Sequence, residues 1–212
     1  MTDTVRHPIF ARAFHRITPL MEREIGPRRD ELLAGLSGQV VEVGAGNGAN
    51  FAHYPDTVGE VIAFEPESYL RRNAARVAPS ARVPVQVREG IAEDIPLEDE
   101  SADAAVVSVV LCTVTDPRRA AAELRRVLKP GGELRFLEHI RSPNPRKARL
   151  QWSLDRPRLW PRLAGGCHCG RDTLATLQAA GLRIERASSF DLGPPWLHTN
   201  PYVLGRARTP RG

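Results

Sequence analysis

Residues 39–51, Gln-Val-Val-Glu-Val-Gly-Ala-Gly-Asn-Gly-Ala-Asn-Phe, decide how this chain is read. A short β-branched run at 39–43 passes straight into glycines at 44, 46 and 48. Apolar runs of this length suit a strand buried on both faces of a parallel sheet. Glycine lets the backbone turn tightly and meet a ligand with no Cβ in the way. The loop is expected to lead into a helix N-terminus, whose free N–H groups favour an anionic or acceptor group. Its spacing is Gly-x-Gly-x-Gly, not the Gly-x-Gly-x-x-Gly of dinucleotide sites, and Glu42 stands two residues before the first glycine. That carboxylate repels a pyrophosphate and attracts an ammonium group. A nicotinamide-dependent oxidoreductase is further disfavoured because neither Lys129 nor Lys147 offers a Tyr–Lys pair.

Moving outward, further strands are expected at 61–64, 83–87, 104–110 and 133–137, the last after the turn Lys129-Pro-Gly-Gly. Helices are expected at 68–77, 117–128 and 171–180. The second has Asp116 as N-cap and Pro117 at its first position, with Ala121, Leu124, Val127 and Leu128 as one apolar stripe. Strands at 183–188 and 202–206 close the chain, and the residues before Leu36 read as a helical cover. Such alternation predicts an α/β fold with an open, doubly wound, mostly parallel sheet. Ligands then bind beyond the carboxyl ends of the strands, so the residues just after each strand are the ones to question.

The second strand ends in Phe64-Glu65-Pro66, and Glu65 lies 17 residues beyond Gly48. That is close to the offset of about 20 residues at which an acid reaches ribose hydroxyls. An adenosine carrying a cationic amino-acid tail uses both acids, and S-adenosyl-L-methionine is such a ligand.

The composition fits this reading. With 212 residues, 42% hydrophobic and 26% charged, the chain can build one globular core. Disordered, collagenous, coiled-coil and membrane-spanning classes are excluded, since nothing approaches 18 consecutive apolar residues. The opening residues lack a signal-peptide pattern and the three cysteines are too few for a disulfide framework, so a cytoplasmic location is expected. The net charge is +5, but all except two of the 30 basic residues are arginines spread along the chain. A nucleic-acid partner is therefore not expected. A small-molecule acceptor is, and an oligomer is compatible with the sequence.

The motifs VVEVGAGNGANF and AFEPE resemble the first two motifs of the class I S-adenosylmethionine-dependent methyltransferases. The resemblance continues through GIAEDIPLEDESADAAVVSVVLCTV and LRRVLKPGGELRFLEHI, in the manner of the quinone-biosynthesis branch, and covers roughly 38–140. More narrowly, SVVLCTV, LRFLEHI, Trp160 ahead of Cys167, and the closing segment 201–207 resemble the animal alkyl thiol methyltransferases. The resemblance implies a Rossmann-like sheet of seven strands with an antiparallel last strand. It divides a single domain into a cover (1–36), a cofactor core (37–140), an acceptor lid (141–169) and a closing helix and strands (170–212). By the same resemblance Glu42 holds the amino group through the loop or water, while Gly44, Ala45, Gly46, Asn47 and Gly48 pass along the methionine portion. Glu65 takes the ribose hydroxyls, Pro66 shapes the adenine edge, and Ser108 and Val109 line the sulfur. Many relatives have an aspartate where Ile91 stands, so the adenine falls to Ile91, Ala92 and Glu93 or to backbone carbonyls. The implied activity is methyl transfer to a small molecule, a thiol first. The alternatives are carbon, oxygen or nitrogen on a quinone, lipid headgroup or secondary metabolite, or a non-catalytic cofactor-binding partner.

At the acceptor end, Glu138 and His139 are the candidate catalytic bases. Cys112, inside an apolar run, reads as a small buried hydrophobe. Cys167-His168-Cys169 has the ligand types of a metal site but no second cluster to complete it, so no metal is expected. Phe10, Phe14, Trp152, Trp160 and Trp196 lie outside the core, where an apolar acceptor would be covered.

Overall fold

A computed structural model describes residues 8–194 and 196–211. Seven strands form one sheet: β1 (Gly38–Val43), β2 (Val58–Phe64), β3 (Val85–Arg88), β4 (Ala102–Ser108), β5 (Leu128–His139), β6 (Arg183–Phe190) and β7 (Tyr202–Arg208). Their order is β3-β2-β1-β4-β5-β7-β6. The first five run parallel, and β7 is wedged antiparallel between β5 and β6. This is the doubly wound, mixed architecture expected. β1 and β4 flank the reversal of strand order, which places the glycine loop at the switch point.

The central strands are mainly apolar because alternation points their side chains to two faces and both are covered. Val41, Val43, Ile62, Phe64, Ala105 and Val107 pack on one face with α3 (Pro117–Val127) and with Leu177 of α6 (Thr173–Ala179). Val40, Val61, Ala63, Ala104 and Val106 face the other way, against α1 (Pro8–Leu33) and Ala74 of α2 (Ser68–Val77). Both faces are covered, so neither carries a polar register.

Several local expectations change. The glycine loop runs through a turn into a single 3-10 turn at Phe51–His53, not into an α-helix. β5 begins at Leu128, so Lys129-Pro-Gly-Gly is absorbed into the strand. The strand expected at 104–110 is β4, which ends earlier, at Ser108. The helical cover is confirmed as α1, which carries Pro19 and Pro27 within it. Its end is tied to the sheet by Arg135, whose guanidinium donates to the carbonyls of Leu32 (3.2 Å) and Ala34 (3.0 Å).

Segment 141–169 holds α4 (Pro145–Asp155) and α5 (Leu159–Leu163). α4 starts as its sequence dictates: Asn144 caps the N–H of Arg146 and Lys147, and Pro145 takes the first position. One side chain fastens this helix to the sheet. Gln151 is fully buried; its Oε1 accepts from Ser142 N (2.8 Å), and its Nε2 donates to the carbonyl oxygens of His198 (3.0 Å), Ile140 and Asn200 (3.3 Å each). Removing a partner strands buried polar groups at about 1–3 kcal/mol each. Gln151→Ala is expected to lower the melting temperature and to open 141–169 to limited proteolysis before the sheet unfolds. An unchanged melt with an unchanged digest would show that the amide does not clamp the helix.

Candidate active site

The carboxyl end of β1 carries Glu42, which is buried, so its charge must be met by donors. Asn50 Nδ2 donates to one oxygen (2.7 Å) and the Tyr54 hydroxyl to the other (2.8 Å). The Asn50 side-chain oxygen accepts in turn from the Arg29 guanidinium of α1. Burial nevertheless dominates and pushes the Glu42 carboxyl up to about 7. Both oxygens serve the loop itself, so any influence of Glu42 on a ligand passes through the loop.

Between Glu42 and Asn50 the chain bends through Gly44, Gly46 and Gly48, all at positive φ. A Cβ on Gly44 would fall 2.4 Å from Val110, and one on Gly48 would fall 2.7 Å from the Phe51 ring. Glycine is required at both by close approach as well as conformation. The Gly44 and Ala45 N–H groups bond to Phe64 O (2.8 and 3.0 Å), pinning the loop to the end of β2. Glu65 closes the cradle from that side: Oε2 accepts from Gly46 N (2.7 Å) and Oε1 from Glu67 N (2.9 Å). It too is buried, and desolvation raises its carboxyl to about 7. Pro66 follows it, half-buried.

α1 lies over this loop. Phe14 approaches Gly46, and His15 Nδ1 is 3.3 Å from Asn47 Nδ2, leaving Asn47 Oδ1 buried without a partner. Asn47 therefore keeps one polar valence open within the loop. Beyond β3, Ile91 forms a bridge to Asp94, Ala92 is buried, and Glu93 turns its Oε1 to the N–H of Thr115 (2.8 Å) and Asp116 (3.2 Å). Glu93 thus staples the loop ahead of α3.

After β4, Ser108 and Val109 are half-buried, and Val109 is left-handed (φ 60°), an uncommon conformation for a β-branched residue. Two features hold it there. Val109 N donates to Leu137 O (2.7 Å), and the next three peptide N–H groups, of Val110 (2.8 Å), Leu111 (3.1 Å) and Cys112 (3.3 Å), donate to Glu138. Glu138 is wholly buried, and desolvation raises its carboxyl to about 7. Its oxygens anchor a strained loop; they do not stand free toward an acceptor.

His139 lies next to it, 6% exposed, with its ring 4.2 Å from that of Tyr202. Its Nδ1 faces two sulfurs, Cys112 Sγ at 3.4 Å and Cys167 Sγ at 3.3 Å, while Nε2 is buried without a partner. Cys167 Sγ donates to Cys112 Sγ (3.7 Å) and pairs with Cys169 Sγ (3.6 Å), and burial pushes the Cys112 thiol up. The cysteine pair at 167 and 169 therefore does meet a second cluster, supplied by the ends of β4 and β5. His168 is not part of it, since its N–H bonds to Cys112 O and its Nδ1 to Gly166 O. Cys112 is buried as expected, but as a member of this group. Gln151, Arg29 and Asn50 were not singled out from sequence: their hydrogen bonds join segments whose adjacency appears only in the fold. Of the aromatic side chains, Trp160 packs edge-on to His198 (4.1 Å), whereas Trp152 and Trp196 are exposed.

The paired carboxylates, the glycine bend and the unpartnered Asn47 oxygen fit a polar, cation-bearing nucleoside. Comparison with known proteins agrees. Residues 41–136 match a methyltransferase domain family. The chain is 33% identical to thiol S-methyltransferase TMT1B of Homo sapiens over 207 residues, covering 90% of this chain and 82% of that protein. It is 33% identical to a demethylmenaquinone methyltransferase of Clavibacter sepedonicus over 53% of this chain and 46% of that one. The structure of the cyclase SpnF superposes with a TM-score of 0.69 at 21% identity, covering 95% of each chain, which shows a shared fold. No helix among the described residues is long and apolar enough to cross a membrane. The cradle and these likenesses together make the chain a member of the S-adenosylmethionine-dependent methyltransferases.

Proposed function

We propose that this enzyme moves the methyl group of S-adenosylmethionine to the sulfur of a small apolar thiol. The observation that carries the cofactor half is Glu65, whose oxygens close the glycine bend at the end of β2. The thiol is favoured by the likeness to a protein named a thiol S-methyltransferase, which extends over most of both chains. In this reading Glu65 turns to the ribose hydroxyls and Pro66 bounds the adenine, with Ile91, Ala92 and Glu93 at its rim. Gly44, Ala45, Gly46, Asn47 and Gly48 lie along the amino-acid tail, and Glu42 orders them while adding negative potential for the ammonium.

When bound, S-adenosylmethionine supplies a methyl group already activated on a sulfonium. The protein then needs to supply geometry more than chemistry: an approach of about 3 Å, aligned with the breaking bond. Ser108 and the strained Val109 border that line, with Glu138 as the positioning residue that keeps the loop in place. His139 is retained at the acceptor end, where its unpartnered Nε2 offers one hydrogen-bonding valence. The thiol gives up its proton to Nε2 of His139 or to solvent before or during attack, its sulfur bonds the methyl carbon, and the cofactor would depart as the neutral thioether. α1 and segment 141–169 exclude water from the transfer.

Glu65→Ala is expected to weaken binding of S-adenosylmethionine by about 1–3 kcal/mol, read by isothermal titration, since a hydrogen-bonding carboxylate is lost. Unchanged affinity would remove Glu65 from the ribose. A second expectation concerns pH. Free Glu65 titrates at about 7, and ribose hydroxyls donate to the ionised form, so binding below that pH must expel a proton. Affinity is expected to rise with pH up to about 7 and then level off, with the rise reduced in Glu65→Gln to the part that Glu42, pushed up to the same range, contributes. A flat wild-type profile would contradict this. Finally, a panel of thiol, amine, phenol and quinone acceptors with methyl-labelled cofactor is expected to carry label on thiols. Label confined to carbon, oxygen or nitrogen would overturn the thiol assignment, and cofactor binding without turnover on any acceptor would indicate a non-catalytic partner.

A further inference from the structure

Four metal-ligating side chains meet behind Val109, drawn from three separate parts of the chain. Cys112 follows β4, His139 ends β5, and Cys167 and Cys169 follow α5. All four are buried, and the three sulfurs are free of disulfides. The nitrogen of His139 and the sulfurs of Cys112 and Cys167 lie mutually within 4.8 Å. Their separations are 3.7 Å between the two sulfurs and 3.4 and 3.3 Å from nitrogen to each sulfur.

These lengths have a geometric meaning. With zinc–sulfur bonds of about 2.3 Å and zinc–nitrogen bonds of about 2.0–2.1 Å, the edges of a tetrahedron are about 3.8 Å between sulfurs and about 3.5 Å between sulfur and nitrogen. The triangle here has those edges to within a few tenths of an ångström. A disulfide between Cys112 and Cys167 would need a sulfur separation of about 2.05 Å. Thiols donate hydrogen bonds weakly, so a dry cluster of three of them with an imidazole gains little by itself. Two thiolates and a neutral imidazole around a divalent ion give a group of zero net charge, which a buried site favours.

We propose that Cys112, His139 and Cys167 bind a zinc-type divalent cation, with a fourth corner suited to a thiolate. Binding exchanges the Cys112 and Cys167 thiol protons for the ion, and a sulfur that takes the fourth corner as thiolate sheds a third; all leave to solvent, and the four-ligand group then carries a net charge of −1. The fourth thiolate has two possible sources. Cys169 Sγ is 3.6 Å from Cys167 Sγ but stands outside the group whose ligand atoms are mutually within 4.8 Å, so its side chain would have to turn to reach the fourth corner. The other source is the sulfur of the acceptor, and only that arm rests on the thiol-methylation reading. His139 would hold the ion through Nδ1, which leaves its unpartnered Nε2 as an N–H.

The test uses the full chain, reduced and freed of metal, with cobalt(II) as probe. One equivalent is expected to bind with the strong visible bands of four-coordinate cobalt and with sulfur-to-cobalt charge transfer. Mass spectrometry after alkylation is expected to find Cys112 and Cys167 protected by the ion, a readout that needs no variant and no activity. Cys167→Ser is expected to lose one-to-one binding. A change in the charge-transfer band on adding a small thiol assigns the fourth corner to an external sulfur. No change, together with weakened binding in Cys169→Ser, assigns it to Cys169. Only the weak spectrum of six-coordinate cobalt, with all cysteines alkylated equally with and without metal, would overturn the site. The acceptor panel can fail while cobalt still binds, so the two readings fall separately.

Discussion

A carboxylate removed from water must find donors, and here two of three find donors that the sheet itself leaves over. Parallel strands release their chains at one edge, where the first N–H groups of each loop have no ladder partner. Glu42 at the end of β1, Glu65 just past β2 and Glu138 near the end of β5 all stand at that edge. Glu65 takes the N–H of Gly46 and Glu67, and Glu138 takes three in a row from Val110 to Cys112. Glu42 works one step removed, through Asn50 and Tyr54. The loops around the cofactor cradle are therefore ordered by buried acids whose own ionisation is held back by burial to about pH 7.

This arrangement separates the site into two halves with different physical make-up. The cofactor half is largely main chain: glycine conformations, peptide N–H groups and strand ends. The fold itself persists through wide sequence change, as a cyclase at 21% identity shows. The half proposed to meet the acceptor is side chain: Val109, His139, Tyr202, Trp160 and the cysteines. Reaction type is decided there, so fold likeness alone cannot supply it.

The same division explains what could be read from the sequence. The strand–helix order and sheet class were legible because buried parallel strands need uninterrupted apolar runs, and the central ones have them. Gly44, Gly46, Gly48, Glu42 and Glu65 were legible because they occupy one continuous stretch and the next strand end. The 3-10 turn after the loop was not, since Phe51 and Tyr54 are drawn into the core and shorten the helix that the glycines suggested. Gln151 was illegible for a different reason. A glutamine inside the Arg-rich stretch of α4 looks solvated until Ser142, Ile140, His198 and Asn200 are seen around it.

The cysteines show the limit most sharply. Spacing rules for metal ligands detect pairs within a few residues, and Cys167 and Cys169 alone satisfied them. Cys112 and His139 are 27 residues apart and belong to different motifs, yet β4 and β5 are neighbouring parallel strands with Ser108 opposite Leu137. Residues just beyond that pair must converge at the carboxyl edge, and α5 then brings Cys167 across it. A search for ligands at corresponding depths past adjacent parallel strands would have found the pair. In a doubly wound sheet, that depth is a stronger guide to a shared site than distance along the chain.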